Sequence, residues 1–292
     1  MRLGFLGSPS FAVPVLDALV AHGHDVAMVV TRPDARRGRG KDTSPTPVKA
    51  AAARLGIPAT SDVTDLVAAD VALGVVVAYG ALVPAAVLDV VPMLNLHFSL
   101  LPRWRGAAPL ERAILAGDER TGVCVMGLEA TLDTGPIYGC AEVEVDDKGL
   151  EVLRDELVAL GADLLSSLLD GGLDGLPTPR PQVGESTYAK KLTDAELELD
   201  FSRPASELAR VVRLGRARTS AQGRRLLVLD ADAVPDAEGE PGELHDDVVT
   251  AGRGGLRLRT IVPEGRRAMD VASWRRGLRD AVPAHLGPDA AS

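Results

Sequence analysis

The apolar positions of the first hundred residues follow two alternating patterns, short continuous runs and longer stretches with helical spacing. Runs rich in Val and Leu are typical of parallel strands buried on both faces, whereas apolar residues three or four apart are typical of helices. Strands are predicted at 3–6, 24–31, 70–78 and 93–97, and helices at 11–21, 47–55 and 84–90. This order predicts an α/β fold with a doubly wound, Rossmann-like parallel sheet.

The pattern changes in the second half of the chain. A long helical stripe at 150–169 precedes a segment rich in Pro and Gly at 175–186, which indicates a linker. A helix is then predicted at 205–214, and strands at 225–229, 248–251, 256–261 and 269–271. These short strands favour a smaller C-terminal β-barrel, OB-like, or a sandwich. We therefore predict a first domain at 1–177, a linker at 178–200, a β-barrel domain at 201–282 and a frayed tail at 283–292.

Composition narrows the class of protein. With 46 % hydrophobic and 25 % charged residues the chain is expected to be a folded, soluble protein. The uncharged run at 71–88 is interrupted by Gly74, Gly80 and Pro84, so we interpret it as a strand, a turn and a helix rather than a membrane span. Cys124 and Cys140 are too few for a disulfide framework and lack the spacing of a metal site. We expect both to be core residues of a protein in a reducing cytoplasm, with no membrane association.

The charge is unevenly distributed. The net charge of −9 argues against a uniformly basic surface that binds polyanions indiscriminately. Residues 1–200 hold 17 basic and 28 acidic residues, whereas residues 201–292 hold 15 and 13. Because only nine residues are aromatic, binding of nucleic acid through stacked bases would have few side chains to use. Local recognition of nucleic acid by the basic half remains open.

The first strand is followed by Gly4-Phe5-Leu6-Gly7-Ser8-Pro9, which must be tested as a dinucleotide loop. The G-x-G-x-x-G spacing is absent, and Pro9 removes an N–H where a pyrophosphate would need a donor. An NAD-dependent oxidoreductase is therefore disfavoured.

Polar residues at the end of the strand at 93–97 suggest acyl-transfer chemistry instead. Asn95 and His97 lie two apart, so they share one face of the strand at its carboxyl end, where ligands of such sheets bind. Asp133 follows a predicted strand at 122–126. Taken singly, each residue is more typical of a satisfied core histidine or a turn. Together they supply an amide donor for an oxyanion, a proton carrier and a carboxylate to orient the imidazole.

The chain resembles the folate-dependent formyltransferases. The resemblance rests on Asn95-Leu96-His97 running into SLLPRWRGAAP, on Leu132-Asp133-Thr134-Gly135, and on the segments at 5–11, 31–50, 76–80 and 186–192. It covers essentially the whole chain. The Asn-x-His and Asp-x-Gly motifs are shared across that family, whereas the Arg-rich insert and the second domain point to its branch that acts on a charged tRNA.

The resemblance implies transfer of the formyl group of 10-formyltetrahydrofolate, as co-substrate and without a metal, to the α-amine of initiator methionyl-tRNA. It implies catalytic roles for Asn95, His97 and Asp133, with a protonated His97 and Asn95 stabilising the oxyanion. The expected folate contacts are Ser99, Leu100, Leu101 and Pro102 in one turn and Val77, Ala78, Tyr79 and Gly80 in another. We expect a monomer.

The expected tRNA contacts lie in two basic segments. They are Arg36, Arg37, Arg39 and Lys41 in the insert, and Arg213, Arg216 and Arg218 in an Arg-rich stretch of the second half. The second stretch departs from the family pattern, because Ala217 and Thr219 stand where prolines are expected. This leaves the details of tRNA contact in doubt, and not the transfer chemistry.

Three other functions stay open. A glycinamide ribonucleotide formyltransferase would share the chemistry but is normally a single domain. A sugar N-formyltransferase would share it with a different C-terminal region. A non-catalytic tRNA-binding or folate-binding paralogue is disfavoured by the complete set of Asn95, His97 and Asp133.

Overall fold

A computed structural model describes residues 1–36, 43–278 and 283–287. The chain forms two compact units. The N-terminal unit comprises Met1–Leu110, Arg120–Glu144 and Leu153–Ala189, and the C-terminal unit comprises Glu111–Glu119, Val145–Val152 and the chain from Lys190 onward. The last change from one unit to the other, between Ala189 and Lys190, falls within the predicted linker at 178–200.

The elements of the first two-thirds of the chain agree with most of the predicted ones. The strands are β1 (Arg2–Gly7), β2 (Asp25–Val30), β3 (Ala35–Arg36), β4 (Thr43–Ser44), β5 (Ala59–Thr60), β6 (Leu73–Val77), β7 (Met93–His97), β8 (Arg105–Gly106), β9 (Arg120–Gly127), β10 (Ile137–Glu144) and β11 (Tyr188–Ala189). The helices are α1 (Val13–Ala21), α2 (Pro47–Leu55), α3 (Asp65–Ala68), α4 (Ala85–Leu88), α5 (Pro109–Ala116) and α6 (Leu150–Leu169).

Local signals explain why some predicted ends are accurate. The Thr46 hydroxyl accepts a hydrogen bond from the Lys49 N–H and begins α2, with Pro47 in the first turn. Gly56, with a left-handed φ of 71°, ends the same helix.

The main sheet of the N-terminal unit has seven strands in the order β10-β9-β7-β6-β1-β2-β5. The five strands from β7 to β5 pair in parallel, which confirms the predicted Rossmann-like core. β9 and β10 extend the sheet in antiparallel fashion. β10 was not predicted, because its half-exposed residues lack a continuous apolar run.

The two cysteines face each other across β9 and β10, and the structure joins them in a disulfide. Cys124 is fully buried, as expected, whereas Cys140 is exposed. The prediction that both are core residues is therefore wrong for Cys140. The register of the antiparallel pair, which the sequence pattern did not reveal, is what brings the two together.

The C-terminal unit is built on an antiparallel sheet. Its strands are β12 (Ala217–Ala221), β13 (Arg224–Val234), β14 (Leu244–His245), β15 (Val248–Thr250), β16 (Gly255–Pro263) and β17 (Met269–Asp270), and its later helices are α7 (Ala205–Val212) and α8 (Val271–Leu278). The strand order is β12-β13-β16-β15-β14, with β17 also paired to β16. Among the described residues this sheet is open, so the predicted closed, OB-like barrel is not confirmed.

The predicted linker and tail are both more ordered than expected. In the linker, β11 pairs with β8 in parallel, and Arg180 forms a bridge with Ile137. In the tail, Leu286 is buried in the core of the C-terminal unit, and its N–H donates to Gly242 O. The prediction of a frayed tail is therefore wrong for residues 283–287. No helix in the described part of the chain is both long and apolar enough to span a membrane.

Candidate active site

β7 brings Asn95 and His97 to the carboxyl end of the parallel sheet. Alternation along the strand puts both on one face, where His97 is buried and Asn95 is half-buried. Among the residues that the structure describes, none hydrogen-bonds to the Asn95 side-chain amide. A half-buried amide without a protein partner can bind a ligand without breaking an internal contact.

The His97 ring has two different neighbours. Its Nε2 lies 2.9 Å from the carbonyl oxygen of Trp104, which can only accept, so Nε2 carries the proton in the neutral ring. Its Nδ1 lies 3.7 Å from Asp133 Oδ2. The main-chain carbonyl therefore determines the tautomer, and Nδ1 is the only ring atom that can take up a further proton.

Burial lowers the pKa of His97 below its ordinary value, while the Asp133 carboxylate and the hydrogen bond to Trp104 O partly oppose it. In the ligand-free protein the neutral imidazole is therefore favoured more than in a free histidine, because the desolvation of an almost fully buried ring is the larger effect. The expected protonated state of His97 during transfer stays a prediction.

Asp133 is held in an uncommon conformation. Its backbone is left-handed, with a φ of 52°, and its carboxylate oxygen Oδ2 accepts the Gly106 N–H at 2.8 Å. Two residues later, a Cβ on Gly135 would overlap the carbonyl oxygen of Gly127, so only glycine fits there. The Leu132-Asp133-Thr134-Gly135 motif is therefore a geometric requirement of this loop as well as a chemical signature.

The segment Trp104–Gly106 contacts both members of the pair, His97 through Trp104 O and Asp133 through Gly106 N. The linker holds this segment in turn. Thr187 Oγ1 accepts the Trp104 N–H, and Thr187 O accepts the Arg105 N–H, both at 2.9 Å. These contacts could not be predicted from the sequence, because every residue has main-chain donors and acceptors whatever its type.

The turn expected to bind folate has two buried residues, Ser99 and Leu101, and two half-buried ones. Ser99 is fully buried, and its hydroxyl donates to Arg103 O at 2.6 Å, so it closes the turn. Leu101 packs against Cys124 and Met126, and the Leu101–Pro102 peptide is cis. Leu100 and Pro102 are half-buried.

The second expected folate segment follows β6. Val77 is buried, Ala78 is exposed with a left-handed φ of 48°, and a Cβ placed on Gly80 would meet open space. Tyr79 is buried, which raises the pKa of its phenol. Its carbonyl oxygen accepts from Ser8 Oγ at 3.3 Å, which links the ends of β1 and β6.

The arginines expected to contact tRNA differ in their surroundings. Arg37, Arg39 and Lys41 lie outside the described residues, and Arg36 lies in β3. Arg213 donates to the main-chain carbonyls of Lys148 and Val145, and Arg218 forms an ion pair with Glu198 at 2.9 Å. Arg216 is exposed. Within the described residues, no cluster of three or more His, Cys, Asp or Glu could hold a metal.

Residues 1–166 match the formyl transferase family, and residues 191–279 match the formyl transferase C-terminal domain. The chain belongs to the formyl transferase family. The first matched region contains most of the N-terminal unit together with two short segments of the C-terminal unit, and the second lies within the C-terminal unit.

Curated relatives carry a more specific name. The chain is 42 % identical to the methionyl-tRNA formyltransferase of Cereibacter sphaeroides, over 95 % of this chain and 96 % of that one. It is 45 % identical to the methionyl-tRNA formyltransferase of Novosphingobium aromaticivorans, over 95 % and 97 %. A solved N-formyltransferase from Helicobacter canadensis, in complex with folinic acid and dTDP-3-aminofucose, shares the fold with a TM-score of 0.69 at 14 % identity, over 92 % of this chain and 100 % of that one.

Proposed function

We propose that the chain transfers the formyl group of 10-formyltetrahydrofolate to the α-amine of initiator methionyl-tRNA. The observation that carries this proposal is the convergence of His97 and Asp133, 3.7 Å apart, beside the unpartnered amide of Asn95. The names of relatives above 40 % identity over almost their full length favour methionyl-tRNA as the acceptor. We expect the protein to act in the cytoplasm, where initiation takes place.

The residues around Asn95 fit a folate. Val76 pairs with Asn95, so the exposed Ala78 and Gly80 follow the end of the neighbouring strand. Ala78 and the half-buried Leu100 and Pro102 are available for apolar contact, and the Asn95 amide offers a donor. Apolar walls with a few convergent polar groups are typical of sites for ring-containing ligands. The ligand supplies a formyl group on N10, and we propose that the formyl oxygen contacts the Asn95 amide.

Asn95, His97 and Asp133 each have a different role in the transfer that we propose. As the amine attacks the formyl carbon, Asn95 donates to the oxygen on which negative charge develops. His97 takes up at Nδ1 the proton that the amine loses, since Nε2 already donates to Trp104 O. Asp133 stabilises the imidazolium that forms, and the proton is finally returned to the leaving nitrogen of the folate.

The acceptor requires a binding surface for phosphates. Arg224, Arg225, Arg266 and Arg267 are exposed, and none of the four lies in an ion pair with another described residue. Arg225 O accepts the Glu264 N–H, which brings the start of β13 and the turn after β16 to one end of the sheet. We propose that these four arginines, Arg216 and the basic insert at 36–41 contact the tRNA backbone, with Arg213 and Arg218 serving mainly to hold the C-terminal unit together.

One assay tests the proposal against the other open functions. Purified protein is given 10-formyltetrahydrofolate with initiator methionyl-tRNA, with an amino sugar nucleotide or with glycinamide ribonucleotide, and the formylated product is quantified. We expect transfer to methionyl-tRNA alone. Transfer to either small acceptor, or to none of the three, would refute the proposal.

A further inference from the structure

We propose that Gln182, in the segment between the two matched regions, is a positioning residue that holds Asp133 in place for its role beside His97. The inference rests on the proposed function and adds a residue to its machinery. Gln182 lies in a stretch that the sequence marks as a linker, far from either motif.

The side-chain amide of Gln182 is saturated with hydrogen bonds. Its Nε2 donates to the carbonyl oxygens of Asp133 and Gly135, both at 2.9 Å. Its Oε1 accepts from Arg105 Nε at 3.0 Å and from Arg105 Nη2 at 2.6 Å. Two donors and two acceptor sites are all that such an amide has, so its orientation is fixed.

The two hydrogen bonds donated by Gln182 hold the loop at its most restricted backbone positions, Asp133 and Gly135. Asp133 has a left-handed backbone, with a φ of 52°, a conformation that is unfavourable for a non-glycine residue and persists only where neighbours enforce it. The Gln182 amide donates hydrogen bonds to the carbonyl oxygens of Asp133 and Gly135, the residues on either side of Thr134. It thereby fixes the main chain from which the carboxylate projects.

The contacts close a ring. The Arg105 side chain donates to Gln182, Gln182 donates to Asp133 O, and the Asp133 carboxylate accepts from the N–H of Gly106, the residue after Arg105. The carbonyl oxygen of Trp104, the residue before Arg105, accepts a hydrogen bond from His97 Nε2. The ring therefore ties Asp133 to the same short segment that orients the imidazole.

Gln182→Met is the informative variant, because it keeps the length of the side chain and removes both donors and the amide acceptor. A displacement of about 1 Å in a catalytic group can cost about 100-fold in rate. We expect kcat for formyl transfer to fall between tenfold and 100-fold, with the Kd for folate and the thermal midpoint close to those of the parent protein. Val183→Ala, at the adjacent and largely exposed position, should leave all three unchanged.

Gln182→Glu distinguishes the role of the amide oxygen from the role of the amide nitrogen. It keeps an acceptor for Arg105 and loses both donors to the loop, so it should lower kcat as much as Gln182→Met does. If Gln182→Glu retains the parent kcat, the residue serves only to satisfy Arg105, and the proposal is overturned. A fall in kcat matched by an equal loss of folate affinity would show a general structural role and would also overturn it.

A measurement without turnover distinguishes failure of this inference from failure of the proposed function. The titration of the His97 ring, followed by NMR in the ligand-free protein, reports how closely Asp133 approaches it. In Gln182→Met we expect the midpoint to move to lower pH, because the stabilising carboxylate is less well held. An unmoved midpoint would refute the positioning role even if the parent protein formylated none of the acceptors.

Discussion

Replacing Asp133 by Asn tests how much of the reaction depends on charge at His97. Asp133→Asn keeps the shape of the side chain and can still accept the Gly106 N–H. Two opposite unit charges at 3.7 Å attract by about 4 kcal/mol at an effective dielectric constant of about 20. If that attraction is present only once His97 has taken up a proton, its loss slows the reaction by about 10³-fold.

The assay is a single turnover, with enzyme in excess over methionyl-tRNA and folate saturating, so that the chemical step is observed. Folate affinity is measured separately and should not change, since Asp133 is not among the expected folate contacts. Asp146→Asn is the matched control, because Asp146 also has a left-handed backbone, with a φ of 41°, and is exposed. A slowing of less than tenfold in Asp133→Asn would refute the role assigned to the carboxylate.

Three further outcomes follow from the site and the basic insert. Asn95→Ala should lower kcat by about 10²–10³-fold without lowering the thermal midpoint, and near-parental turnover would remove Asn95 from the mechanism. Arg39→Ala should raise KM for the charged tRNA while the Kd for folate is unchanged; an equal loss of folate affinity would make the insert structural. Because burial lowers the pKa of His97 from 6.5, the unfolded chain binds a proton at a higher pH than the folded one, so stability should fall as the pH drops below 6.5. Urea unfolding, measured between pH 5 and pH 8 at steps of about one unit, should show a free energy of unfolding that decreases toward pH 5. In His97→Gln this decrease should be smaller.

Much of the fold follows from local pattern. The Val-rich runs and the cap residues around α2 suffice to locate four of the five parallel strands and the helices α1, α2 and α4, and β7 was predicted to the residue. β8 and β11 have two residues each and form only because the linker docks beside the active site. Closure of a barrel depends on pairing between edge strands, which residue type does not encode, and among the described residues the sheet of the C-terminal unit is open.

The side chains that we propose as catalytic were selected from their types, whereas their protonation and tautomer could not be predicted from the sequence. The sequence draws attention to Asn95, His97 and Asp133 because polar residues are uncommon at the ends of buried strands unless they have a structural or functional role. The lowered pKa of His97 arises from burial, and its tautomer arises from the carbonyl of Trp104. Neither cause is visible before the chain is folded.

The linker is held by specific contacts and is more than a flexible spacer. A segment rich in Pro and Gly is ordinarily a spacer whose length matters more than its sequence. Here Gln182 contacts the Asp133 loop, Thr187 contacts Trp104 and Arg105, and Ala189 O accepts the Ala107 N–H at 2.9 Å. The number of residues between Gln182 and Thr187 must therefore allow both to reach their partners, the Asp133 loop and the segment Trp104–Arg105, at the same time. An insertion within that interval should impair transfer, and an insertion in the exposed stretch at 170–175 should be tolerated, although both lie between the same two matched regions.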